Sequence, residues 1–361
     1  MVRSEDFFRH LPRSDQRHWA EVYVRGLLTA RGRKSPRALA LAATGSAGAA
    51  HALHQFVSHS PWQWSAVRDR LARQVARELA VGARVVGTAL VPKRGSHSVG
   101  VAAHFGPDTG RAVNAQLGVV LYLSDGRRAV PVDWRLVLGK EWCADPQRRR
   151  RVRLPDTATA GPAWQDVLAL AGGAGRSPVV VDARHLGGLA PLAAELTRRG
   201  TAFLAETDAG LRVVLAERPA RPVRVDGLWT RDGGDGTRTA LVRLAEAGPD
   251  AAAAPVLRLW RLRAPGPGRA ARWAVTNADH WTAGGVCALL RHADAAGSAL
   301  AALRADFGLC DYEGRSYPGW HRHMTLVSVA YALAALRCEE PRGAAPRRAV
   351  PPCPVPAAHG V

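Results

Sequence analysis

Pro178 to Val181 is a short, wholly apolar strand that ends at Asp182, Leu189 to Arg199 has helical spacing and closes on Gly200, and Thr201 to Ala205 is apolar again. A strand–helix–strand unit of this kind lays its two strands side by side and parallel, which requires helices against the sheet. Upstream, Ala83 to Val91, Ser98 to Ala103 and Gln116 to Leu123 read as three strands in a meander, with turns at Pro92–Gly95 and Asp125–Gly126. The expected fold is therefore α/β: a mixed sheet, antiparallel in its first part and parallel in its second, flanked by helices.

The stretches before and after this core have different periods. Residues 1–80 read as helical: Trp19 to Leu28 and Ala38 to Phe56 carry apolar residues at helical spacing, and Ser60-Pro61-Trp62 looks like a capped helix start with proline in the first turn. That last helix continues through Val67, Leu71, Val75 and Leu79, with Arg68, Arg70, Arg73 and Arg77 expected on its outer face, which is either solvated or laid on phosphates. After the core (81–208), residues 209–276 are β-like and broken by Gly and Pro, a β-rich insertion. Helices return over 277–337, where Met324 to Leu336 is apolar all round and must be buried. The Pro-, Arg- and Ala-rich stretch 338–361 is expected to be disordered.

Charge narrows the partners. Fifty Lys+Arg stand against 30 Asp+Glu, a net +20. The preference for Arg over Lys fits a GC-rich coding sequence, but the excess over acids does not follow from base composition and points to a polyanion. The Gln147–Arg153 run, with Arg148, Arg149, Arg150 and Arg151, reads as an exposed loop and is the first candidate for DNA contact. Five scattered cysteines without CxxC spacing exclude a disulfide framework and a zinc site of the usual spacing. With neither a signal-like N-terminus nor an uncharged span of membrane length, the expected setting is cytoplasmic and reducing, without a membrane.

Three segments carry a resemblance. Lys93-Arg94-Gly95-Ser96-His97-Ser98-Val99-Gly100-Val101 is similar to a "KKGxxSVGV" hairpin, Val179-Val180-Val181-Asp182-Ala183 to a "VVADAGYG" strand end, and Gly308 to His323 to an "LGLDHFEGRSWRGWHHHVTL" block. Asp133-Trp134-Arg135-Leu136, Tyr23 to Leu28 and Phe56 to Trp62 add to these. Together they resemble insertion-sequence transposases of the DDE superfamily, in particular insertion-sequence family 701. The resemblance implies an RNase H-like core with a helical N-terminal region and an inserted β-rich part, in agreement with the pattern above.

The resemblance also implies a mechanism: three carboxylates hold two Mg²⁺ or Mn²⁺ ions, one activating water or a 3′-hydroxyl and the other stabilising the leaving oxygen. Asp182 matches the acid at the end of the fourth core strand. The first-strand acid, in a "DDTGF"-like turn of the family, falls at Gly87, and no Asp or Glu lies between Glu78 and Asp108. The late-helix Glu falls at Gly297, counted back from Gly308; Asp294, on nearly the same helix face, is the candidate substitute, and Arg304 stands where the family has Lys. Glu313, Arg315, Tyr317 and Trp320 are read as scaffold or substrate-contact residues. His321 and His323, two apart at a helix start, converge poorly on one ion, which favours packing or phosphate-facing roles.

Three expectations follow. The first is a DNA-binding, inactivated or domesticated transposase-like protein, with weak or absent metal binding and a homodimer as candidate assembly. The second is a fold recruited for small-molecule chemistry through a polar pocket of Asp182, His97, His185, Glu313, Tyr317 and His321. The third is an active transposase with unconventional acids drawn from Asp182, Asp294, Asp108 and Glu313.

Overall fold

A computed structural model describes residues 3–106, 110–172, 177–217, 221–229, 236–246, 254–263 and 270–337. The stretch 338–361 and Asp108 lie outside them. Strand β1 (Ala83–Pro92), rich in β-branched residues, is the axis of the sheet. The long β3 (Arg111–Ser124) runs antiparallel to it; β2 (Val101–Gly106) pairs with the first part of β3 and β4 (Ala129–Leu136) with its second part. On the other side of β1 the strands are parallel: β5 (Val179–Asp182) and then β6 (Phe203–Thr207). The order β4-β3-β1-β5-β6, antiparallel then parallel, is an RNase H-like core.

The β-rich stretch does not close on itself. Strands β7 (Arg212–Leu215), β8 (Val223–Arg224), β9 (Arg238–Leu244), β10 (Leu257–Leu262) and β11 (Arg272–Thr276) extend the same sheet through the antiparallel β11–β6 pair, giving 11 strands among the described residues. The apolar β6, which would otherwise end the sheet with unpaired backbone groups, is thereby covered.

Helices lie on both faces. Val86, Val181, Phe203 and Ala205 pack under α8 (Ala163–Ala171) and α9 (Leu189–Arg198), while Val85, Ala89 and Val180 point to the opposite face. That face carries α10 (Ala283–Ala305), α11 (Tyr317–Arg337) and the N-terminal helices α1 (Ser4–Phe8), α2 (Ser14–Thr29), α3 (Pro36–Thr44), α4 (Ala50–Ser58) and α5 (Trp64–Glu78). The apolar α11 lies between β4 and α2, α4 and α5, so each of its faces meets protein. By length and composition α10 could cross a membrane, but Val286 and Leu290 pack on Leu204 and Ala274 of the sheet.

Three local readings change. The apolar stretch Ala38–Phe56 is two helices, because Gly45 ends α3 in a left-handed conformation (φ 73°). Helix α5 starts at Trp64 and not at Pro61, because Trp62 is buried beneath it, stacked on Phe56 with Nε1 donating to the Phe56 carbonyl (3.1 Å). The arginine run is no loop: α6 (Lys140–Cys143) leads into α7 (Pro146–Val152), where Asp145 caps the Gln147 and Arg148 amides and Pro146 occupies the first turn.

Candidate functional site

The parallel register brings the acid-bearing strand ends together. Val86 pairs with Val181, so Gly87 is level with the end of β5, and Asp182 pairs with Glu206 of β6. Alternation along each strand puts Gly87, Asp182, Glu206 and Arg272 on the face that α10 crosses, with Asp294 above them. Burial alone would raise the Asp182 carboxyl, but Arg184 holds it below the usual carboxylate range: Nε and Nη2 donate at 2.8 and 2.7 Å, and the Arg184 amide adds a bond at 3.3 Å. The Arg184 guanidinium is raised in turn, first by that bond and more weakly by the charges of Glu206 and Asp294. Arg272 grips the buried Glu206 with a two-pronged bond (2.7 and 2.9 Å) and reaches Asp294 at 2.9 Å. Three carboxylates and two guanidiniums thus form one cluster.

A Cβ built on Gly87 or on Gly297 would meet nothing within 4 Å among the described residues. The backbone does not forbid a carboxylate at either position; the side chains are simply absent. Asp294, the candidate substitute, is already held by Arg272. Arg304 turns to the Leu90 carbonyl (3.3 Å), and Lys93 donates to the Tyr312 carbonyl. Lys93 is lowered, first by burial.

The Gly308–His323 block is built into the molecule elsewhere. His323 is buried and donates from Nε2 to the Gly308 carbonyl (3.1 Å) while Nδ1 accepts from the Tyr23 hydroxyl (3.0 Å); burial, then the Lys93 charge, lowers it to about 3. Trp320 meets Trp134 edge to face. His321 stacks on Trp64 and stands edge-on to Tyr317; burial and Arg68 hold it well below the usual imidazole value. Both ring nitrogens of His323 are bonded and His321 Nδ1 faces Arg68, so the two rings do not converge on one ion. Glu313 is exposed and paired with Arg33 at 2.6 Å, the Arg315 carbonyl accepts from the Val99 amide, and His97 is exposed.

The polar pocket expected from Asp182, His97, His185, Glu313, Tyr317 and His321 does not form. His185 lines a cleft with Arg184 and Arg212 at the ends of β5 and β6, whereas Tyr317 and His321 line a separate one with Trp64 and Asp133.

Arg68, expected on an outer face, is 4% exposed. Its five N–H groups are all bonded: Nε to Thr325 Oγ1 (2.8 Å), Nη1 to Asp133 Oδ1 (2.9 Å) and the Trp134 carbonyl (2.6 Å), Nη2 to His321 Nδ1 (3.2 Å) and the His321 carbonyl (2.9 Å). On α7, Arg149 is spent on the Cys143, Pro155 and Ala158 carbonyls and Arg148 lies over Trp142, which leaves Arg150 and Arg151 as the outward pair.

The family model for the DDE superfamily endonucleases matches residues 6–273, from α1 to the start of β11. The chain belongs to the DDE superfamily. This DDE endonuclease-family chain is also similar to a solved structure, the piggyBac transposase synaptic complex with hairpin DNA, at 10% identity over 76% of this chain and 50% of that one, TM-score 0.43. It therefore spans about half of the piggyBac chain. No curated protein matches.

Chemistry in the superfamily generally depends on divalent metal ions. Mg²⁺ and Mn²⁺ demand several oxygen ligands around one point. Here Asp182, Glu206 and Asp294 already face guanidinium groups, Gly87 and Gly297 offer no oxygen, and the described residues contain no group of three or more acidic, His or Cys side chains placed to hold an ion. The donor set does not fit the two-metal centre. Reasoning from sequence singled out Asp182, Gly87 and Gly297 and left out Glu206, Arg184 and Arg272, which the structure places beside Asp182. One signal was present: Arg184 stands where the family pattern "VVADAGYG" has Gly.

Proposed function

We propose that this chain is a DNA-binding member of the DDE superfamily that has lost two-metal strand transfer, an inactivated or domesticated transposase. The bond between Asp182 and Arg184 carries the reading. The one carboxylate retained at a family position is neutralised by an arginine two residues on, and both partner positions are glycine despite room for a side chain. An ion binding here would have to break the two-pronged Arg184–Asp182 bond, and the neighbouring Glu206 and Asp294 are held by Arg272. DNA binding is supported by the net +20 charge and by the outward Arg150 and Arg151.

Two measurements on the purified protein test this. Calorimetric titration with Mn²⁺ is expected to give no saturable binding that Asp182→Asn removes. Filter binding to duplex DNA is expected to show affinity that falls steeply with salt and depends little on sequence. Mn²⁺-dependent nicking that disappears in Asp182→Ala would establish surviving catalysis and end the first half of the reading; absence of DNA binding at low salt would end the second.

A further inference from the structure

The family-marking blocks that stay intact converge away from the acid cluster, at the β4 end of the sheet. The first turn of α5, the Asp133–Leu136 segment of β4 and the start of α11 enclose a cleft of 330 Å³. Its charges cancel in pairs: Arg68 with Asp133 at 2.9 Å and Arg135 with Asp166 at 2.7 Å. A free anion would gain little there. Its walls hold the half-buried rings of Trp64 and Tyr317, 6.2 Å apart and nearly perpendicular.

One polar atom in this cleft is unanswered. His321 is 3% exposed, and its Nδ1 faces Arg68 Nη2. Arginine can only donate, so Nδ1 accepts and the proton of the neutral ring sits on Nε2. That Nε2–H has no hydrogen-bond partner among the described residues. A donor buried without an acceptor is costly unless a ligand supplies one. The Asp133 carboxylate, 44% exposed beside it, offers an acceptor. An aromatic wall, a neutral charge balance, one donor and one acceptor match a flat heterocycle bearing both a carbonyl and an N–H.

We propose that the cleft receives an unpaired nucleobase, stacked against the Trp64 and Tyr317 rings, with a base carbonyl accepting from His321 Nε2–H and a base N–H donating to Asp133. This rests on the DNA-binding reading and adds to it a preference for distorted or single-stranded DNA.

Fluorescence polarisation of a duplex with one extra unpaired thymidine, against the same duplex with an abasic residue at that place, tests the proposal in the wild-type protein. The base-bearing duplex is expected to bind about tenfold more tightly, the size of one base–aromatic stack. His321→Phe, which keeps a ring against Trp64 but removes the donor, is expected to narrow the gap. Equal affinities for the two duplexes overturn the inference and leave DNA binding standing. If neither duplex binds, the DNA-binding reading fails and calorimetry with free thymidine decides the cleft. Saturable heat weakened in His321→Phe then keeps base recognition with a free nucleoside as its source, and no heat overturns it.

Discussion

Arg68 and Arg184 are both paired with an aspartate, but in opposite surroundings. Arg68 is sunk between α5, β4 and α11, spends all five N–H groups and joins the helical region to the sheet. Arg184 sits half-exposed at the end of β5 with a single carboxylate partner. A buried guanidinium is kept only if every donor is answered, so the first ties the fold together; a half-exposed pair is screened by water and contributes little. The end of β5 is thus the place where this chain can change at little structural cost.

The sharpest way to break this contrast is to remove each arginine in turn. Arg68→Met is expected to cost about 3–5 kcal/mol in urea melts, since it strands the Trp134 carbonyl, Thr325 and His321 in the interior. A loss below about 1 kcal/mol would remove the distinction.

Acid should act mainly at the buried end. The folded value of His323, about 3, lies below the ordinary imidazole value, so the unfolded chain takes up protons first as pH falls. Stability is then full above about pH 6.5 and declines towards pH 3, by roughly 3 kcal/mol for His323 near pH 4.5. His321 acts in the same direction. Stability measured against pH should show this slope, and His323→Gln should flatten it by about one proton.

Arg272→Gln is the intermediate case. It leaves Glu206, 4% exposed, without its two-pronged partner, at a cost of about 1–3 kcal/mol by thermal melt. Arg184→Ala should have the smallest effect, under about 1 kcal/mol. A larger loss would make the acid cluster structural, not a vacated site.

The sheet was largely legible because its strands are β-branched runs bounded by Gly, Pro and Asp turns, and these signals are local. What failed depended on partners distant in the chain. Arg68 lies beside an apolar stripe and looks like a surface residue until Asp133 and Thr325 are folded over it. Glu206 sits just past the end of an apolar strand, and only the parallel register sets it against Asp182. Helix α7 was misread because four consecutive arginines hide any apolar period, although Asp145-Pro146 is a helix-start signal. Gly87 and Gly297 were singled out on the family register alone, since an absent side chain has no signature of its own.

The bond between Tyr23 and His323 spans 300 positions. On the ribosome, at about 5–20 residues per second, α2 would wait roughly 15–60 seconds for α11 to be made. During that interval the faces of α2 and α4 that pack on α11 lack that cover. Chains cut short before Tyr317 should therefore be captured by chaperones or aggregate even with every strand of the sheet present. In this molecule helices made early are secured only by one made late.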